Sequence, residues 1–165
     1  DVTVTYHAAR PGSATRALAR LPGVLAAEPF RIVPVQLRHA NHERRGAIVG
    51  LERGGELHRI VGATGVVQQP PDDGLLLTTQ LANGLGVRIG DIVTVQVLEG
   101  KRRAYDVPVA GTVDELVGTG AYMSTTALGA MLGEGDAVNG AYLDVDQRLA
   151  PDMYQGLKRL PAVSG

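Results

Sequence analysis

Residues 17–26 read ALARLPGVLA, and the phrase returns in altered form as GLKRLPAVSG at 156–165. Shifting the sequence by 139 positions lays VTVTYHAARPGSATRALARLPGV (2–24) over AYLDVDQRLAPDMYQGLKRLPAV (141–163) without a gap. Few residues are identical, namely Leu18/Leu157, Arg20/Arg159, Leu21/Leu160, Pro22/Pro161 and Val24/Val163. The physical pattern matches throughout. Each copy opens on a strand-like stretch and passes through polar punctuation to a helix start, with Ser13 and Asp152 as the expected N-caps. The helices carry stripes at i, i+3, i+4 and i+7: Ala14, Ala17, Leu18 and Leu21 in one, Met153, Gly156, Leu157 and Leu160 in the other. A proline then ends each helix, because its ring cannot continue the hydrogen-bond ladder.

Neither stripe is wide enough to fold alone, so both helices need a sheet, and the first and last segments must share one. The expected class is α+β: a split β-α-β, ferredoxin-like lobe made of two repeated halves, residues 1–37 plus 140–165. The first half runs on through VLAAEPFRIVPVQL (24–37), where Pro29 and Pro34 mark an edge or bulged strand. The last strand of the second half is expected to be truncated. In such a topology both chain ends lie on one side of the sheet, and residues 38–139, inserted between the halves, project from the other.

The insert reads as a small β-barrel-like lobe. Short strands are expected at 46–51, 57–61, 65–69 and 74–77, separated by Gly, Pro and Asp. DIVTVQVLEGKRRAYDVPVAGTV (91–113) reads as a hairpin: Val93, Val95 and Val97 alternate with polar residues, Tyr105, Val107 and Val109 alternate on the return, and EGKR turns between them. Two short helices are expected at 78–86 and 124–132, the second capped by Ser124.

Composition narrows function. With 16 basic and 17 acidic residues the net charge is -1, so no global field draws the chain to nucleic acid. Cysteine is absent, which removes disulfides, thiolate zinc sites and a Cys nucleophile. There is no G-x-S-x-G elbow, and GLERGG and GTVDELVGTG lack the ending of a phosphate-binding loop. Asp114 and Glu115 are adjacent, so on a strand they face opposite ways and make a poor acid/base pair. In GVRIGD, Asp91 is expected to tie the amides of the turn before its strand.

The remaining candidates are contacts rather than chemistry. RHANHERR (38–45) is expected as a basic turn far from the chain ends, with Arg38, His39, His42, Arg44 and Arg45 available to a partner or substrate. The spacing of His39 and His42 also admits a metal-dependent hydrolase or a ligand-binding module with its site in the barrel, although no third ligand is evident nearby. GAYM (120–123) reads as a core strand, with Tyr122 and Met123 as the alternative apolar contact.

The succession LPGVLAAEPFRIVPVQLR, GLERGGELHRIV, GLLLTTQLANGLGVRIGDIVTVQVLEG, VPVAGTVDELVGTGAYMS and LKRLPAV resembles the extracytoplasmic domain of FtsX-like, MacB-type ABC transporter permeases, over essentially the whole chain. The resemblance implies a non-catalytic domain without cofactors, on the periplasmic or extracytoplasmic face of the bacterial inner membrane. Its implied partners are the flanking transmembrane helices of the same permease, indirectly a cytoplasmic ATPase subunit, and a membrane-fusion-type adaptor or a second permease copy. The implied role is to couple ATP-driven movement of membrane helices to substrate or partner handling outside.

Overall fold

One 16-residue strand, β2 (Val24–His39), runs through both parts of the molecule. The computed structural model describes residues 2–115, 120–160, 163 and 164. Around β2 lie β1 (Val2–Arg10), α1 (Ser13–Ala19), β3 (His42–Leu51), β4 (Ile60–Val61), β5 (Val67–Gln68), β6 (Leu75–Thr78) and α2 (Thr79–Leu85). They are followed by β7 (Ile92–Val97), β8 (Ala104–Val113), β9 (Ala121–Ser124), α3 (Thr125–Leu132), β10 (Val138–Val145) and α4 (Ala150–Lys158).

The main sheet has the order β1-β10-β2-β3-β9-β6-β8-β7, and β7 returns to pair with β2. Six strands, β2-β3-β9-β6-β8-β7, therefore close into a barrel, and β1 and β10 continue outward as an open sheet on the first half of β2. The valines that alternate in the sequence fill the barrel: Val93, Val95 and Val97 from β7 and Val107 and Val109 from β8 meet Val33, Val35 and Leu37. Leu81 and Leu85 of α2 and Leu128 of α3 join the same core. Their side-chain caps arise as the sequence suggests for α3, where Ser124 Oγ accepts from the Ala127 amide at 3.0 Å, and Thr78 does the same for α2.

The open sheet carries the repeat. In each copy a strand leads into a helix, β1 into α1 and β10 into α4. Val163 then bridges to Tyr6 in antiparallel sense, and the Ser164 amide donates to the Thr5 carbonyl at 2.7 Å. The expected truncation of the last strand falls partly on residues 161, 162 and 165, outside the described residues. Leu18 and Met153 are fully buried beneath the sheet with Val4, Ala141 and Leu143. Gly140 is required here: a Cβ on it would lie 1.9 Å from the Val4 carbonyl oxygen and 2.7 Å from the Phe30 ring.

Details of the helices differ from expectation. α1 begins at Ser13 itself, with Gly12 at the N-cap and no side-chain capping bond. α4 begins at Ala150, because Pro151 fits the first turn of a helix, and Asp152 lies within that turn rather than capping it. On α1, Thr15 rather than Ala17 accompanies Leu18 inward, and Ala17 faces solvent. The strands expected at 57–61 and 65–69 shrink to two residues each, β4 and β5, which pair only with one another. The connection from β7 to β8 spans 98–103, longer than the EGKR turn, with Gly100 and Arg102 both at positive φ.

The prolines of β2 fall where a flanking strand is missing. β10 accompanies β2 from Val24 to Phe30, β3 begins at Phe30, and β7 joins only from Val35 to Arg38. Even-numbered residues of β2 address the side shared by β10 and β7. Odd-numbered residues address β3. Pro29 therefore faces the flank that β3 has not yet reached, and Pro34 faces the gap between β10 and β7, so neither missing N–H breaks a ladder.

Candidate functional site

The gap beside residues 31–34 of β2 is where the barrel meets the open sheet, and every backbone polar group there finds a partner. Ile32 is the even-numbered residue left without a strand opposite it. Its N–H donates to Asn139 Oδ1 at 2.6 Å, and its carbonyl accepts from Arg31 Nη1 at 2.9 Å. Pro34 has no N–H to satisfy, and its carbonyl accepts from the Leu98 amide at 3.0 Å. Two side chains, Arg31 and Asn139, thus stand in for the missing piece of strand.

Arg31 is 2% exposed, and its guanidinium uses all of its N–H groups. Nη1 donates to Ile32 O and to Asn139 Oδ1 at 2.8 Å, Nη2 to Glu99 at 2.7 Å and to Glu134 at 3.0 Å, and Nε to Glu134 at 3.1 Å. Glu134, on the segment after α3, is gripped by Arg31 in bidentate fashion, Glu99 lies on the β7–β8 connection, and Asn139 belongs to β10. Burial works against the charge of Arg31, but hydrogen bonds to Glu134 and Glu99, and then their negative charges, outweigh it and raise its pKa above the usual value. The carboxylates keep 41% and 35% side-chain exposure and open onto a cleft of about 710 Å³, rimmed by His7, Lys101, Arg102 and Arg103.

A second fastening joins the two parts on the opposite face of the open sheet. Glu28 of β2 accepts from the amides of Glu56 at 2.7 Å and Leu57 at 3.1 Å, and His58 stacks on Tyr142 of β10 with ring centroids 4.7 Å apart. Behind these contacts Phe30, Leu51, Ile60, Leu76 and Val113 form a separate apolar cluster with Tyr122 and Tyr142.

Burial drives the phenol of Tyr6 up, with Arg10 opposing, and that of Tyr142 up. Tyr122 is pushed up furthest, by burial and then by the nearby Glu115 carboxylate. Because these folded-state values exceed the ordinary 10.0, the stability they contribute is intact below about pH 10 and is lost as pH rises through the folded values. Urea midpoints should therefore hold up to about pH 10 and then fall, and Tyr122→Phe should make the fall shallower.

The basic segment lies at the other end of the barrel. The turn there is only Ala40 and Asn41, with Ala40 at φ 52°, and the rest of RHANHERR belongs to β2 and β3. The expectation of a long polar turn is corrected accordingly: the ladder continues to His39 opposite His42, and Arg38, Arg44 and Arg45 are strand residues. Arg38, on the outer face, pairs across from Thr94 and Glu43, while Arg44 lies over α2, close to Gly84. His39 Nδ1 is 3.1 Å from the Ile92 carbonyl oxygen. Among the described residues no group of three or more His, Cys, Asp or Glu is placed to hold a metal. Arg44→Ala should change stability by less than about 0.5 kcal/mol, measured by urea unfolding, since its side chain is exposed.

Tyr122 and Met123 lie on β9, away from this tip cluster. Met123 is 4% exposed inside the barrel, which makes it core and removes it as a contact. Tyr122 is half-buried in the outer cluster. Asp91 behaves as its sequence suggests, its Oδ2 accepting from the Arg88 amide at 2.9 Å beside Gly90 at φ 96°. Nothing in the sequence marks Arg31: only the cross-chain meeting of residues 31, 99, 134 and 139 reveals it.

Two solved structures share this architecture. The extracellular domain of YknZ, a noncanonic ABC-type transporter from Gram-positive bacteria, matches with a TM-score of 0.64 at 13% identity, covering 99% of this chain and 97% of that one. The periplasmic region of MacB from Actinobacillus actinomycetemcomitans matches with a TM-score of 0.61 at 12% identity, covering 98% of this chain and 86% of that one. No family model and no curated protein matches the sequence. The chain has the fold that these two external domains share.

Proposed function

We propose that this chain is the extracytoplasmic domain of an ABC transporter permease, a non-catalytic element that carries movement of membrane helices to a partner or substrate outside the membrane. The observation that carries this reading is the correspondence, along nearly the full length of both chains, with the external domains of two such transporters. The placement of the chain ends supports it. Thr5 and Ser164 lie side by side on antiparallel segments, so β1 runs toward the barrel and the last described residues run away from it. Attachment of both ends to adjacent membrane helices would direct the barrel tip away from the lipid.

In this reading residues 1–37 and 140–165 form the membrane-proximal lobe, a split β-α-β arrangement of ferredoxin-like type, and 38–139 form the distal lobe, with the second half of β2 running on into the barrel, where Val33, Val35 and Leu37 are core residues. The strand order supports this, since β10 lies between β1 and β2 and Val163 lies on the outer flank of β1. At the far end Arg38, His39, His42, Arg44 and Arg45 are the surface offered to a membrane-fusion-type adaptor, a second permease copy or the substrate. ATP hydrolysis is assigned to a separate cytoplasmic subunit.

The absence of native cysteine in this chain makes the location testable. Asn41→Cys, introduced into the full-length protein stripped of any other accessible cysteine, should react with a membrane-impermeant maleimide in intact spheroplasts. Reaction only after lysis would place the barrel in the cytoplasm and end the proposal.

A further inference from the structure

We propose that Arg31 is a latch that fixes the barrel against the open sheet, and that β2 is hinged at residues 31–34. This inference concerns the chain itself and stands whatever the chain is attached to.

The hinge follows from pairing. Across residues 31–34, β2 has a strand on its β3 side alone, whereas the residues before and after carry β10 or β7 on the other flank. With Pro34 unable to donate, this is the thinnest point of the sheet continuity. The latch follows from the partners of Arg31. Asn139 belongs to the open sheet, Glu99 to the barrel and Glu134 to the segment between α3 and β10, so one guanidinium ties all three. No other described arginine is both buried and bonded to side chains from three segments.

The two fastenings across the junction are unequal. Glu28, with two backbone amides and the His58–Tyr142 stack, lies over an apolar cluster that is already closed. The Arg31 side rests on two partly exposed carboxylates at the mouth of a cleft. Releasing Arg31 therefore opens the cleft between His7 and Lys101, while the Glu28 side serves as the pivot.

Spin labels on Asp152→Cys of α4 and Gln80→Cys of α2, both exposed, report the angle between the two parts by pulsed dipolar spectroscopy. The parent should give one narrow distance distribution. Arg31→Met, and independently the combination Glu99→Gln with Glu134→Gln, should broaden it and add a longer-distance population while circular dichroism stays native. Should Arg31→Met fail to fold, the double glutamine variant decides alone. A distribution as narrow as that of the parent in a folded variant, or a parent already broad, would overturn the latch.

Discussion

Leu18→Asp and Met153→Asp should each cost more than about 4 kcal/mol and leave little folded protein, because either change buries a carboxylate with no partner. Both side chains are fully buried, in the cluster that holds α1 and α4 against β1 and β10. A domain of this size has about 5–15 kcal/mol to lose. Leu157→Asp should cost clearly less, about 1–2 kcal/mol, since Leu157 is only partly buried and its carboxylate could reach water. Urea unfolding of the three variants checks the order. Leu157→Asp more damaging than Met153→Asp would mean that α4 is rotated about its axis, turning Leu157 rather than Met153 toward the sheet.

Arg31→Lys should be nearly as harmful as Arg31→Met, both losing about 3 kcal/mol. A lysine ammonium has three donors on a point charge and cannot serve Ile32 O, Asn139, Glu99 and Glu134 together, as the guanidinium does. The Coulomb part of this figure is modest, because Glu99 and Glu134 are more than a third exposed and solvent screens them. Most of the loss comes from stranding the Ile32 carbonyl and leaving Asn139 Oδ1 with the Ile32 amide alone. Glu99→Gln and Glu134→Gln singly should each lose about 1 kcal/mol. A lysine variant as stable as the parent would show that charge alone, not the fork of donors, holds the junction.

The parts of the fold that were legible in the sequence were those written in local patterns. The alternating valines at 93–97 and 107–109 placed the hairpin, Ser124 placed the start of α3, and the 139-residue echo placed both helices on one sheet. The echo did not show that its copies fill their cores differently. Met153 aligns with Ala14, so in the second copy the large innermost residue sits one turn earlier and Leu157 rides higher than Leu18. The helix starts lie one residue earlier than the sequence suggests at α1 and three earlier at α4, where backbone geometry at Gly12 and Pro151, rather than the expected side-chain caps, sets the boundary. The junction was illegible for a different reason. Arg31 looks like an ordinary outward residue of an alternating strand, and its role arises from Glu99, Glu134 and Asn139, which are 68, 103 and 108 positions away. The tip was found because its basic residues are contiguous, but its extent as a turn was overestimated, because alternation is hard to see in a run of polar residues.

The proposed attachment puts both ends of the chain at the pole opposite the barrel tip, which requires the segment after α4 to run antiparallel against β1, as Val163 and Ser164 do. Thr5→Cys with Ser164→Cys tests this directly, since the two positions oppose one another in an antiparallel pair, a spacing a disulfide can span. Mild oxidation of the cysteine pair should yield a monomeric, intramolecular disulfide with a raised unfolding temperature. Free thiols or only intermolecular dimers after oxidation of the folded protein would contradict the shared pole, and with it the proposed mode of attachment.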